Sequence, residues 1–297
     1  MTAPPTTEPP TTQPTTTEPT AFLCATCGVQ FPPAAEAPAR CPICADQRQY
    51  LAPGGQRWTT LAALRAAHRN AFAVESPGLL GVGTEPSFAI GQRALLVRAG
   101  GGNVLWDCVS LIDDATVEIV RALGGLRCIA ISHPHYFATM IEWARAFDAP
   151  VLLHQDLGRW IQRPGPEVEL WSGETRAIDE DLTLIRCGGH FAGGTVLHWS
   201  RGAGGRGALL AGDVVQVVAD RRWVSFLYSY PNLIPLPGSE VERIAAVLAP
   251  YRYEHLLGAW WGRNVLGDAA AAVQRSAERY ASALRERLEP ATGDAPR

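Results

Sequence analysis

Three short polar segments, each placed at the end of an apolar run, constrain this sequence more than any other feature. The first contains His133 and His135, the second places His190 among glycines, and the third ends in Gly212-Asp213. Short apolar runs of this kind predict buried strands, so the polar residues would lie where strands end. Neutral imidazoles and a carboxylate are ligands that a borderline metal such as zinc prefers. The sequence therefore predicts strand ends that converge on one metal ion.

The local sequence around these histidines favours metal binding. Residues two apart in an extended segment point to the same side, so His133 and His135 can bind one ion, and Pro134 stiffens the link between them. The glycines around His190 allow the backbone to turn tightly and present the imidazole ring. Asp213 follows a predicted buried strand, where a carboxylate is costly to bury without a cation or a donor.

A second predicted metal site lies near the N-terminus. Two Cys-x-x-Cys motifs, separated by 13 residues, place four thiolates where one ion can hold them in a tetrahedron: Cys24, Cys27, Cys41 and Cys44. The segment is too short to fold on a hydrophobic core alone, so metal binding would supply folding free energy. It resembles a zinc ribbon. It is also similar to the knuckles of rubredoxin, so iron stays open as an alternative, although the spacing is shorter and Ala45 stands where a glycine is expected.

Composition divides the 297 residues into three parts. Residues 1–20 are almost entirely Thr, Pro and Glu and predict a disordered tail, because they cannot bury enough apolar surface to fold. Residues 21–55 form the predicted zinc ribbon. Residues 56–297 alternate predicted strands and helices, which favours an α/β domain with sheets covered by helices. In this domain we predict helices over 113–123, 139–147, 239–248 and 268–288, and a hairpin of strands 88–90 and 94–97.

Several function classes are excluded or disfavoured by composition. All 26 basic residues are Arg, so lysine-dependent phosphate binding, Schiff-base chemistry and lysine general bases are excluded. A net charge of −3 without a basic stripe gives no reason to expect a nucleic-acid partner. No apolar stretch approaches 18 residues and the N-terminus lacks a signal-like segment, so we expect no membrane span, no secretion and a cytoplasmic location. The seven cysteines fit metal and core positions better than disulfides.

The order and spacing of the segments resemble the metallo-β-lactamase-fold hydrolase superfamily over roughly residues 75–265. The stretch from Asn103 to Asp107 is similar to the family's first strand-end aspartate, and His133-x-His135 to the start of its His-x-His-x-Asp-His motif. Gly189-His190, followed by Gly193 and Thr195, is similar to its Gly-His-Thr-x-Gly-Ser segment, and Gly212-Asp213 to its bridging aspartate. The resemblance implies an αββα sandwich, a metal-dependent hydrolase activity and a small-molecule substrate.

Departures from the family pattern are as informative as the matches. Phe137-Ala138 stands where the family has Asp-His, and Trp260-Trp261 occupies the region of its last histidine. In the family these three ligands build a second metal site, so the resemblance here implies a mononuclear site. His133, His135 and His190 would hold one ion, with Asp213 as a fourth ligand or as the partner of bound water. Because the usual catalytic carboxylate is replaced, Asp213 is the predicted catalytic residue.

Aromatic residues flank the predicted metal site and predict the shape of a substrate pocket. The residues assigned to it are Phe137, Trp223, Tyr228, Trp260, Trp261 and Arg263. Large aromatic side chains would suit an apolar or aromatic part of a substrate, with tryptophan filling the vacated metal space and Arg263 available for an anionic group.

Three hypotheses of function follow. The first is a mononuclear zinc hydrolase of a small ester, thioester, lactone or amide, which uses metal-activated water. The second is a non-catalytic metal-binding or regulatory protein on a decayed hydrolase fold. The third is a redox protein, since the superfamily includes di-iron proteins that work with rubredoxin partners. The missing di-iron ligands and the absence of a flavodoxin domain count against the third.

Overall fold

The structure, a computed structural model, describes residues 18–285. The predicted disordered tail lies outside the described residues except for its last three, and Thr20 already begins the first strand. Three strands build an antiparallel sheet in the order β2-β1-β3: β1 (Thr20–Cys24), β2 (Gln30–Ala34) and β3 (Trp58–Thr60). A short helix, α1 (Leu61–Ala67), follows β3, and the Thr60 hydroxyl caps it by accepting from the Ala63 N–H. We call residues 20–60 the cysteine ribbon.

A seven-stranded sheet follows in chain order. Its strands are β4 (Arg69–Ser76), β5 (Leu79–Glu85), β6 (Arg93–Ala99), β7 (Gly102–Trp106), β8 (Cys128–Ala130), β9 (Val151–His154) and β10 (Val168–Trp171). Strands β4 to β7 are antiparallel neighbours, and β7 to β10 run parallel. The parallel strands are linked by two helices and two 3-10 turns: α2 (Asp114–Ala122), Pro134–Tyr136, α3 (Met140–Phe147) and Gln155–Trp160.

A second sheet of six strands has the order β11-β12-β13-β14-β19-β20. In chain order the remaining elements are β11 (Thr175–Ala177), β12 (Leu182–Arg186), β13 (Thr195–Trp199), α4 (Gly202–Gly205), β14 (Ala208–Gly212), β15 (Gln216–Val217), β16 (Val224–Ser225), β17 (Leu227–Ser229), β18 (Ile234–Pro235), α5 (Gly238–Leu248), β19 (His255–Gly258), β20 (Asn264–Leu266) and α6 (Ala269–Arg285). Strands β15 and β16, and β17 and β18, form two small hairpins beside the sheet.

Alternating apolar residues make both sheets hydrophobic on two faces. In β6 and β7, Val97 and Trp106 point to a core shared with Leu197 and Leu210 of the second sheet. Their neighbours Leu96 and Leu105 belong instead to the core that covers α2 and α3, and α5 and α6 cover the outer face of the second sheet. The resulting layers are helix, sheet, sheet and helix, so the predicted αββα sandwich with a small N-terminal ribbon is confirmed.

The cysteine ribbon shares the core of the larger domain. Its apolar residues, including Val29 and Ile43, belong to the same buried cluster as Ile141 of α3. The Gln30 N–H donates to the Ala138 carbonyl at 3.0 Å, directly before α3. The ribbon therefore rests on the segment that follows the first two histidines of the predicted metal site.

The predicted helices over 113–123, 139–147 and 239–248 are confirmed within a residue or two, and the fourth is described to Arg285. The predicted strand 88–90 is wrong, because these residues form a bend and turn, and β6 pairs with β5 instead. Gly81 and Gly83 of β5 leave space for Trp261: a Cβ at residue 83 would lie 2.7 Å from its Nε1. These glycines weakened the strand pattern in the sequence. Within residues 18–285, no helix is both long enough and apolar enough to cross a bilayer.

Candidate metal centre

The four cysteines of the ribbon converge as the sequence predicts. Their sulfurs all lie within 4.8 Å of one another and are buried. Cys24 and Cys44 are separated by 3.6 Å between sulfurs, and Cys27 and Cys41 by 3.7 Å. Four thiolates at the usual zinc–sulfur length of about 2.3 Å would be about 3.8 Å apart along each tetrahedral edge. These separations fit a shared metal ion and are far too long for disulfide bonds.

The ribbon's turns and one side chain support this sulfur cluster. In each motif a backbone N–H donates to the carbonyl of the first cysteine: Gly28 to Cys24 at 2.8 Å, and Ala45 to Cys41 at 3.0 Å. Gly28 has a φ of +80°, and a Cβ there would meet the Ser110 hydroxyl at 2.2 Å, so glycine is required. Gln56 donates from its amide nitrogen to the Cys24 sulfur at 3.1 Å and accepts from the Cys41 N–H. Such outer contacts orient metal ligands.

The first two histidines of the other site follow β8. His133 is extended and caps the 3-10 turn Pro134–Tyr136, which contains His135. The two residues therefore do not share the extended segment that the sequence predicted, yet the turn still brings their rings within 5.1 Å. His133 Nδ1 accepts from the His135 N–H at 3.4 Å, and its Nε2 faces Asp213 at the centre of the site.

His190 completes a cluster of three imidazoles. Glycines 188 and 189 precede it with φ values of +67° and +76°, which allow the tight turn after β12. Nδ1 of His190 donates to the Tyr228 carbonyl at 2.7 Å, so its Nε2 carries a lone pair and lies 3.2 Å from Nδ1 of His135. One nitrogen from each of the three rings lies within 4.8 Å of the others. Buried imidazole nitrogens that converge in this way fit a metal ion.

Burial keeps the rings of His135 and His190 neutral. It lowers the pKa of His190 to about 4; the charge of Asp213 opposes this lowering, and His133 adds to it. Burial also lowers the pKa of His135 well below its usual value, and the two neighbouring histidines lower it further. Only a neutral imidazole can donate its lone pair to a metal ion, so both rings are in the ligating form at neutral pH.

Asp213 lies against the histidine cluster. It follows β14, and its Oδ1 makes a close contact with Nε2 of His133. Burial alone would raise the pKa of Asp213, but the adjacent imidazoles, His133 foremost, outweigh it and hold the pKa well below its usual range. Tyr230 donates its hydroxyl to the Asp213 backbone carbonyl at 2.6 Å, which fixes the chain at this point. The carboxylate is therefore ionised and directed at the site.

Asp107 positions the strand that carries His133. Its Oδ1 accepts from both the N–H and the hydroxyl of Ser132 at 2.8 Å. Burial raises the pKa of Asp107 to about 8, against the lowering effect of these two hydrogen bonds, and Asp213 raises it further. Asp107 has a φ of +60°, which suits Asp or Asn better than most residues. The role is structural, as the family resemblance implies.

We expect Asp107→Asn to lower the free energy of unfolding by less than about 1 kcal/mol, and Asp107→Ala by about 1–3 kcal/mol. With its pKa near 8 the carboxyl group is mostly protonated at pH 7, so a neutral amide that keeps the acceptor oxygen is a close substitute. Alanine leaves the buried Ser132 N–H without a partner. Urea unfolding at pH 7 measures both values. Equal losses in the two variants would contradict the assignment of a neutral Asp107.

A cavity of about 330 Å³ opens beside the histidines and Asp213. Its lining residues are Arg48, Gln49, Tyr50, Ala89, Ile90, His135, His190, Asp213, Tyr230, Pro231 and Trp260. The sequence did not single out Arg48, Gln49 and Tyr50, which belong to the ribbon. The Asp46-x-Arg48 spacing, with the acid two residues after Cys44, is the signal that could have drawn attention to them.

The predicted pocket residues are dispersed. Trp260 lines the cavity, and Tyr228 supplies the carbonyl that holds His190. The other four predicted pocket residues do not line the cavity: Phe137, Trp223, Trp261 and Arg263. Phe137 is fully buried beside a different, smaller cavity, and Trp223 lies against Arg279 of α6 at 4.4 Å. Trp261 lies against Arg93, and the Arg263 carbonyl accepts from the Gly258 N–H in the turn between β19 and β20.

The positions of the family's second metal site carry no ligand here. Phe137 is buried in the core that the ribbon shares, and the Ala138 carbonyl is bound by the ribbon's Gln30. Trp260 donates from its indole nitrogen to the Ile90 carbonyl at 2.8 Å and packs near Tyr136. Within residues 18–285, the groups of His, Cys, Asp and Glu that could hold a metal are the four cysteines and the three histidines.

This sandwich, with its histidine cluster at the strand ends, defines a protein of the metallo-β-lactamase fold. Solved structures of the same fold include the DIM-1 metallo-β-lactamase exposed to ceftazidime, which is 14% identical with a TM-score of 0.56 and matches 72% of this chain and 98% of its own. VMB-1 is 15% identical with a TM-score of 0.55, covering 73% and 98%. FIM-1 from Pseudomonas aeruginosa, in its mono-zinc form, is 15% identical with a TM-score of 0.53, covering 71% and 96%.

Within this fold the chain belongs to the family of YmaE, described as an uncharacterized protein of Bacillus subtilis (strain 168). The two are 49% identical over 269 residues, which is 90% of this chain and 98% of YmaE. No family model matches the chain. The match to YmaE covers 90% of this chain, whereas the alignment with DIM-1 covers 72% of it.

Proposed function

We propose that this protein is a metal-dependent hydrolase that holds one zinc ion at His133, His135 and His190 and acts on a small ester, thioester, lactone or amide. The observation that carries the proposal is the convergence of three buried imidazoles and an ionised carboxylate beside an open cavity. Three protein ligands with room for a further group are typical of catalytic zinc sites. The four cysteines instead form a closed set, which is typical of a structural zinc site.

The residues of the site have distinct roles in this proposal. The three histidines would hold the zinc, with Tyr228 fixing the tautomer of His190 through its carbonyl. A bound zinc ion would activate a water molecule for attack and polarise the carbonyl of the substrate. Asp213 is the one carboxylate among the residues that line the cavity, all of which lie in the described part of the chain. It would complete the zinc site or hydrogen-bond and orient the attacking water.

The cavity wall favours an uncharged, partly apolar substrate. Among the lining residues, all of them described, Arg48 alone carries a permanent positive charge. Three of its nitrogens already donate, two to Asp46 and one to the His190 carbonyl. Ile90 and Trp260 present apolar surface to the same space. A substrate with a neutral acyl group therefore suits the cavity better than one recognised through an anionic group.

The proposal is tested by a panel of small esters, thioesters, lactones and amides assayed with zinc-loaded and zinc-stripped protein. We expect hydrolysis of at least one class by the loaded protein, loss of that activity after chelation and its return when zinc is added. Substrates with a free carboxylate next to the reacting carbonyl serve as the matched comparison and should be poorer. Turnover that survives chelation would contradict the proposal.

The alternative is a metal-binding or regulatory protein without catalysis. Two residues favour this alternative, because they stand where the wider family has metal ligands: Phe137 is buried, and the carbonyl of Ala138 accepts a hydrogen bond from the ribbon. It predicts an occupied histidine site with no metal-dependent turnover across the whole panel. Zinc content and the panel, measured on the same preparation, separate the two functions.

A further inference from the structure

Arg48 is a buried arginine of the ribbon that reaches the histidine site. It lies four residues after Cys44 and is only 7% exposed. Its Nη1 donates to the His190 backbone carbonyl at 3.3 Å. Within residues 18–285 no other group donates a hydrogen bond to that carbonyl, whereas Nδ1 of the His190 ring donates to the Tyr228 carbonyl. The ribbon thus fixes the backbone of a metal ligand that is 142 positions away in the chain.

Asp46 fixes the orientation of Arg48. The carboxylate accepts from Nε at 2.6 Å and from Nη2 at 2.9 Å, and it also accepts from the Arg48 backbone N–H at 3.0 Å. Asp46 donates its own N–H to the Ile43 carbonyl at 3.4 Å, inside the second cysteine motif. A bidentate arginine–carboxylate pair has a defined geometry. The conformation of this motif therefore determines where the guanidinium lies.

Phe191 contacts both Arg48 and the rings of all three histidines. The Arg48 guanidinium lies 4.0 Å from the centre of the Phe191 ring, in cation–π geometry. The same ring stacks on His133 at 5.3 Å and meets His135 and His190 edge to face at 5.1 and 5.0 Å. Displacing the guanidinium would leave space beside the Phe191 ring. Because protein interiors are closely packed, we expect Phe191 and the imidazole rings in contact with it to shift when that space opens.

A second contact joins the ribbon to the Asp213 side of the site. The Asn232 side-chain nitrogen donates to the carbonyls of Gln47 and Gln49, both at 3.1 Å. Asn232 lies two residues after Tyr230, whose hydroxyl holds the Asp213 backbone. The loop that carries Arg48 is therefore fastened to both segments that present metal ligands in the second half of the chain.

We infer that Arg48 is a positioning residue for His190, through which the cysteine ribbon holds the histidine site in its metal-binding geometry. The inference rests on the proposed zinc site at the three histidines. It makes the ribbon a functional part of the site and explains why the ribbon lies over the segment that follows His135.

The test measures zinc affinity at both sites by chelator competition in the 297-residue chain and its Arg48→Ala and Arg48→Lys variants. Cobalt bound by thiolates absorbs strongly in the near ultraviolet, so cobalt substitution reports the cysteine site separately. Arg222→Ala is the matched control, since Arg222 pairs with Asp220 at the same spacing on an exposed loop. We expect Arg48→Ala to weaken zinc binding at the histidine site by about 10- to 100-fold, as for other outer contacts of metal ligands.

The accompanying results separate positioning from a general loss of structure. The cobalt–thiolate spectrum should be unchanged in Arg48→Ala, and Arg48→Lys should recover only part of the affinity, because an ammonium cannot form the bidentate pair. Wild-type affinity at the histidines in Arg48→Ala would overturn the inference while leaving the proposed function intact. Parallel loss of metal from the cysteines would also overturn it, because Arg48 would then serve the ribbon's own fold. A wild-type chain without a histidine-bound metal would overturn both.

Discussion

The double variant Cys24→Ser/Cys27→Ser is expected to bind one zinc ion per chain where the unaltered chain binds two, and to be markedly less stable. Hydroxyl groups are poor zinc ligands, and metal binding supplies part of the free energy that folds so short a segment. We expect the free energy of unfolding to fall by at least about 3 kcal/mol. At about 2–4 °C per kcal/mol for a domain of this size, Tm should fall by roughly 10 °C. Elemental analysis and thermal unfolding provide the two measurements. Zinc is loaded in excess, so that the histidine site fills even where loss of the ribbon's metal weakens it.

The matched control for this variant is Cys128→Ser/Cys187→Ser, which alters two buried cysteines outside the ribbon. It should retain two zinc ions even if its stability is somewhat reduced. Colour gives an independent check, since a tetrathiolate iron site is red and a zinc site is colourless. One zinc ion in the unaltered chain and none in the Cys24/Cys27 variant would show that the histidine site does not take up zinc. Iron in the ribbon would contradict the assignment of zinc there.

His190→Ala is expected to remove the zinc ion of the histidine site and to abolish metal-dependent hydrolysis. Loss of an outer contact of a metal ligand already costs about 10- to 100-fold, so loss of a direct ligand should lower kcat/KM by at least about 10³-fold. The fold should survive, because His190 lies in the turn after β12 and belongs to no strand of either sheet. Circular dichroism, zinc content and turnover of the best substrate from the panel test each part.

His198→Ala is the matched control for His190→Ala. His198 lies on β13, its Nε2 contacts the Arg252 carbonyl at 2.9 Å, and it neither lines the cavity nor belongs to the histidine cluster. Its replacement should leave the zinc content and kcat/KM within about a factor of two, as for a position that touches neither ligands nor cavity. Full activity in His190→Ala would exclude the histidine cluster as the catalytic site.

Local sequence patterns were sufficient for much of the fold. The capped helix at 114–122 follows from apolar periodicity and from end signals that act within a few residues. The helix at 238–248 follows from apolar periodicity, since no side chain caps its first turn. The strands β4 and β5 were not predicted from the sequence. The glycines of β5 make room for Trp261, which is 178 positions from Gly83, and glycine has a low strand propensity. Long-range packing of this kind leaves no periodic signal in the strand itself.

The candidate ligands of both clusters could likewise be predicted from the sequence. Metal binding limits which residue types can serve as ligands, and the spacing of those residues limits how they can be arranged around one ion. The residues assigned to the pocket were predicted less well. Trp260 lines the cavity, but Trp223, in the hairpin β15–β16, lies against α6, and Trp261, in the turn after β19, lies against Arg93. Proximity along the chain predicts contact only inside one regular element.

The sequence by itself identified the candidate ligand groups: four thiolates, three imidazoles and one carboxylate, each predicted where a strand or a tight turn ends. Only the tertiary structure decided that the ribbon closes over the positions of the missing second metal site and that Arg48 reaches His190 across 142 positions. The reason is physical. Ligand identity is a property of single residues, whereas the packing of two separately specified units depends on surfaces that form only after both have folded.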